Sequence, residues 1–89
     1  MDPMFYIYVL KSPKSAELYY GFSANLKQRL NEHQKMPRHA GWQLVFYEAY
    51  RSEADARKRE RMLKHYGASR GQLKKRIAGS LSMGSESAG

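Results

Sequence analysis

The stretch Phe5–His33, FYIYVLKSPKSAELYYGFSANLKQRLNEH, decides the fold. Phe5 to Leu10 is apolar throughout and rich in aromatic and β-branched types, as expected of a strand covered on both faces. Lys11 to Ala16, KSPKSA, holds Pro13 and reads as a turn. Glu17 to Phe22 reads as a second strand, and so short a connection pairs it antiparallel with the first. Gly21 near its end marks a place where another group approaches the backbone. Ser23 is expected to cap a helix running to about Gln34. Leu26 and Leu30 form its apolar stripe, and Arg29 and His33, spaced i and i+4, follow the edge of that stripe.

Outward from this stretch, Lys35 to Gly41 is a basic loop containing Pro37, Arg38 and His39. Trp42 to Tyr50 is a third strand, with Trp42, Leu44 and Phe46 on one face and Val45, Tyr47 and Ala49 on the other. Ser52 to Tyr66 is the clearest helix: Ser52 and Asp55 make a capping box, and Gly67 stands where a left-handed cap belongs. A last short helix is expected from Ser69, with Gln72 completing a second box and Leu73 and Ile77 buried. The tail GSLSMGSESAG, residues 79–89, is small and polar and is expected to be disordered. The reading is one α/β (α+β) domain over residues 1–78, ordered β-β-α-β-α-α, with a three-stranded antiparallel or mixed sheet flanked by helices.

Bulk properties narrow the function classes. Eighty-nine residues make one domain with a modest core. The chain lacks cysteine, which excludes disulfides, thiolate metal sites and cysteine nucleophiles. No run approaches the length of a membrane span and the start does not read as a secretion signal, so a cytoplasmic protein is expected. The net charge is +8, and the segment Arg51 to Arg76 holds ten basic residues against three acidic ones, so +7 of it lies there. That density suits a phosphate backbone; a solvated helical face is the plainer alternative.

Several side chains invite chemistry. Glu60 lies on the stripe of Ala56, Leu63 and Gly67, and a carboxylate there requires a partner. Two partners fit: a magnesium ion that keeps its waters and takes phosphate oxygens, or Lys64 one turn on. An antiparallel hairpin can bring the Tyr8 and Tyr19 hydroxyls close together, and a phenol acting as a base needs nearby positive charge, which Arg29 and Lys11 supply; taken alone, either tyrosine reads more simply as structural. Arg29 suits a phosphate or a carboxylate such as Glu17 or Glu32. His33 alone reads more simply as a hydrogen-bonding residue. His33, His39 and His65 lack a compact ligand spacing, so no zinc is expected.

Tyr6-Ile7-Tyr8, ten further residues and then Tyr19-Tyr20-Gly21 resemble the signature of the GIY-YIG nucleases. Arg29, ten residues past Tyr19, and His33 stand where that family has an arginine and a histidine or tyrosine, and Ala56-x-x-x-Glu60-x-x-x-Lys64 resembles its metal-binding helix. The likeness runs from about Met4 to Ile77 and is closest to the small single-domain bacterial members. It implies a divalent-metal-dependent endonuclease acting on DNA, with branched or flap structures among its candidate substrates. Tyr8, Tyr19, Arg29, His33 and Glu60 would be catalytic, with Glu60 holding Mg²⁺ or Mn²⁺. Arg61, Lys64, Lys74 and Lys75 would track the DNA backbone. The chain departs from the pattern at Tyr6 and Tyr20, and it lacks the asparagine that the family often carries near the domain end, its only asparagines being Asn25 and Asn31. A nucleic-acid-binding module with little or no catalysis is the alternative reading.

Overall fold

Strand β1, Phe5–Lys11, is the hub of the molecule. The computed structural model describes residues 3–86, and β1 lies at the centre of a three-stranded sheet of order β2-β1-β3. Strands β2, Leu18–Ser23, and β3, Gln43–Tyr50, both pair with it antiparallel, so the sheet has no parallel element. Helix α1, Leu26–Lys35, follows β2; helices α2, Glu53–His65, α3, Gly67–Arg76, and α4, Ala78–Glu86, follow β3.

Alternation along β1 divides the molecule into two sides. Ile7 and Val9 join Ala56 and Leu63 of α2, Leu73 of α3 and Ile77 in the core, with Phe5 packed against them. The other side carries Tyr8, whose hydroxyl meets His33 of α1. His33 is the buried residue of α1, whereas Leu26 and Leu30 line a groove with Tyr6 and Tyr47. The helix therefore buries a polar group where its stripe suggests an apolar one.

Four local expectations are corrected. Asn25, not Ser23, caps α1: its Oδ1 accepts from the backbone N–H of Gln28 at 3.1 Å, while Ser23 Oγ holds the N–H of Asn25 at 2.9 Å. Strict alternation in β3 fails because the register shifts between Val9 and Leu10, where Phe46 pairs with Val9 and Leu44 with Leu10. The extra residue, Val45, then packs on the core beside Phe46, as a bulge allows. Gly67 is not a left-handed cap; it opens α3, and Ser69 and Gln72 lie inside that helix without capping it. Helix α2 ends instead on Tyr66 in extended backbone, and Arg70 Nη1 donates to the carbonyls of Leu63 and Lys64, each at 3.0 Å. Those bonds satisfy carbonyls that the glycine cap was expected to serve.

Residues 79–86 of the expected disordered tail are helical instead. The Leu81 N–H donates to the Ile77 carbonyl at 3.0 Å and the Leu81 side chain packs on the core, which ties α4 to the domain. The rest of that tail, 87–89, lies outside the described residues. Ser52 caps α2 as read, its Oγ accepting from the N–H of Asp55 at 3.2 Å.

Candidate active site

Tyr8 is placed by the middle of β1, where it is fully buried. Its neighbour across the strand pair is Gly21, and a Cβ there would lie 2.5 Å from the Tyr8 hydroxyl oxygen, so only glycine leaves the ring its place. Tyr19 pairs with Leu10, two residues along β2, and therefore shares that face; the two phenol rings lie 6.2 Å apart. Helix α1 brings His33 over both, with its Nε2 2.7 Å from the Tyr8 hydroxyl and its ring 5.1 Å from that of Tyr19.

Arg29, one turn before His33, donates from Nη1 to Glu32 Oε1 at 3.0 Å and also reaches the Tyr8 hydroxyl. Both contacts hold the guanidinium pKa above its ordinary value, Tyr8 contributing most. Its Nε is buried without a partner among the described residues, a donor that an ordered water or a phosphate oxygen would satisfy. Tyr8, Tyr19, Arg29 and His33 thus converge, as their spacing suggests.

The electrostatics differ from the expectation for Tyr8. Burial raises the phenol to about 12, outweighing Arg29, which pulls it down, while Tyr19 adds to the rise. The Tyr8 hydroxyl is therefore protonated at neutral pH. Burial also lowers the His33 pKa, helped by His39 and Arg29, so its imidazole is neutral there.

The loop after α1 completes the site. Gln34 accepts the Gly41 N–H at 3.2 Å and donates to the Trp42 carbonyl at 2.8 Å, pinning the loop to the helix. Gly41 has φ of 85°, the one positive φ among the described residues, and turns the chain back into β3. This places His39 Nδ1 2.9 Å from His33 Nδ1, with the His39 ring 4.7 Å from Tyr19 and 5.0 Å from Trp42. A cleft opens beside them, lined by Tyr19, Arg29, His33, Arg38, His39 and Trp42 among others. Sequence reading left His39 and Trp42 out of the site. The available signal was His39 itself, six residues past His33 across a proline turn.

Glu60 has a different partner. It lies on α2 with its side chain 18% exposed and its Oε2 3.0 Å from Lys64 Nζ, the ion-pair partner weighed from the sequence. No hydrogen bond or ion pair links it to Tyr8, Tyr19, Arg29 or His33 among the described residues. No three His, Cys, Asp or Glu side chains gather there at metal-ligand distances either. One carboxylate fits a hard ion such as Mg²⁺ or Mn²⁺ that draws its remaining ligands from water and phosphate, provided Lys64, which is 42% exposed, swings away. Arg61, Lys64, Lys74 and Lys75 are all exposed. Comparison with known proteins agrees with the motif spacing: the family model of the GIY-YIG catalytic domain matches residues 4–74. No curated protein and no solved structure matches the chain.

Proposed function

Since the chain belongs to the GIY-YIG catalytic-domain family, a nuclease family, we propose that it is a divalent-metal-dependent endonuclease hydrolysing DNA phosphodiester bonds in the cytoplasm. The observation that carries this reading is the convergence of Tyr8, Tyr19, Arg29 and His33 on one hydrogen-bonded cluster beside an open cleft. Glu60 would hold Mg²⁺ or Mn²⁺, which when bound supplies charge neutralisation at the scissile phosphate and its leaving oxygen.

The chain's own groups do the rest. Arg29 binds the phosphate and answers the charge that grows on it. Tyr8 takes a proton from the attacking water, and because its own hydroxyl is protonated, that proton must first leave. His33 Nε2, 2.7 Å away and neutral, is the acceptor. Tyr19 orients the water and the phosphate at the cleft. Arg61, Lys64, Lys74 and Lys75 follow the DNA backbone on the outer surface of α2 and α3.

A labelled panel of duplex, flap, branched and single-stranded DNA, incubated with Mg²⁺ or Mn²⁺, tests the proposal. Glu60→Ala is expected to abolish cleavage with DNA affinity held within a few-fold, and Arg29→Ala to lower turnover by roughly 10²–10³. Cleavage that survives Glu60→Ala would sink the metal assignment. One observation favours a second reading, a nucleic-acid-binding module without catalysis: the Glu60 carboxylate is paired with Lys64. Salt-sensitive binding with no product under either metal would select it.

A further inference from the structure

A neutral imidazole has one ring proton, and His33 has hydrogen-bond partners at both nitrogens: Tyr8 at Nε2, 2.7 Å, and His39 at Nδ1, 2.9 Å. The two bonds are therefore coupled in direction. If Tyr8 donates to Nε2, His33 carries its proton on Nδ1 and must donate it to His39. If His39 instead presents an N–H at its Nδ1, His33 must accept there, carry its proton on Nε2 and donate to the Tyr8 oxygen. Nothing else bonds to the His33 ring nitrogens among the described residues.

We propose that His39 is the positioning residue that sets the tautomer of His33 and, through it, the direction of the hydrogen bond at Tyr8. The inference rests on the nuclease reading for its catalytic consequence but not for the hydrogen-bond chain itself. In the resting state His39 accepts at Nδ1, His33 holds its proton on Nδ1, and Nε2 is left as the base facing the Tyr8 hydroxyl. Transfer is then balanced: the Tyr8 O–H bond breaks and an N–H bond forms at His33 Nε2, so His33 becomes the imidazolium, its Nδ1–H still donated to His39. Tyr8, left as the phenolate, takes its replacement proton from the attacking water. A proton added to His39 at Nδ1 reverses the chain and closes Nε2 to Tyr8.

The site is built to hold His39 in this register. Its backbone N–H donates to the Met36 carbonyl at 3.1 Å, its carbonyl accepts the Trp42 N–H at 3.1 Å, and its ring is wedged between Tyr19 and Trp42. Other charged or titratable groups around the two imidazoles are Tyr19 and Glu17 at β2, Arg29 and Glu32 of α1, and Arg38 beside His39. Arg29 and Arg38 carry no acceptor, so neither takes the place of His39 at Nδ1.

The test has two independent readouts on the full chain. Long-range ¹H–¹⁵N spectra of the ring nitrogens, assigned with His65→Gln, are expected to show His33 in a single Nδ1–H tautomer. That order should be lost in His39→Leu and restored in His39→Asn, whose carboxamide oxygen can stand where Nδ1 does. Cleavage turnover should fall roughly ten- to a hundredfold in His39→Leu with DNA affinity unchanged, the range for outer partners that orient an imidazole. His39→Asn should recover most of it. Tautomer order that is identical in His39→Leu overturns the proposal, as does an unchanged turnover in that variant. Tautomer changes as described, in a protein that cleaves none of the substrates, uphold the hydrogen-bond chain and overturn the nuclease reading instead.

Discussion

At the scale of the residue, Gly21 and Tyr8 are one unit. The absent side chain of Gly21 is the space that the Tyr8 phenol fills, and Tyr8 cannot retreat because it is fully buried and bonded to His33. Gly21→Ala is expected to destabilise the protein by about 1–3 kcal/mol, the cost of overpacking, and to weaken cleavage by displacing the phenol. Urea unfolding beside a cleavage assay checks both. His33 gives a second prediction. Its folded-state pKa is depressed by burial, so as pH falls the unfolded chain takes up a proton, near a pKa of about 6.5, before the folded one does. Stability is therefore present above that pH and declines below it. The urea midpoint should drop between pH 7.5 and 5.5, with a shallower drop in His33→Gln.

At the scale of the element, the helix ends show how far the sequence could be read. The Ser52 cap was legible because a hydroxyl three residues before an acidic residue satisfies a local N–H wherever the fold goes. The end of α2 was not, because its carbonyls are served by Arg70, a side chain of the next helix whose reach depends on tertiary placement. Arg70→Ala is expected to cost about 1.5–3 kcal/mol, the range for hydrogen bonds from a charged donor, and chemical denaturation would measure it. Val45 escaped for a related reason: alternation assumes an unbroken ladder, and the bulge at Val9/Leu10 exists only in the paired sheet. Helix α4 was hidden by its Gly- and Ser-rich composition, which Leu81 overrides by packing on the core. The meeting of four candidate residues was legible because two fixed periods, two along a strand and about four along a helix, bring Tyr8, Tyr19, Arg29 and His33 together. His39 sits in a loop, where no period operates.

At the scale of the whole molecule, charge and core share the same helices. Most of the net charge lies from Arg51 to Arg76, on helices whose inner faces supply Ala56, Leu63 and Leu73 to the core. If Arg61, Lys64, Lys74 and Lys75 each meet a phosphate, the logarithm of DNA affinity should fall with the logarithm of salt concentration. Each cation neutralised to alanine should lessen that slope by about 0.9, which a binding titration across salt would show. The chain also has a single tryptophan, Trp42, and it stands not in the core but edge-on to His39 at the cleft. Its emission therefore watches one corner of the molecule. In thermal melts followed by both fluorescence and far-ultraviolet circular dichroism, coincident curves mean that the cleft and the sheet come apart as one cooperative body. An earlier fluorescence transition means that the cleft loosens while the scaffold still stands.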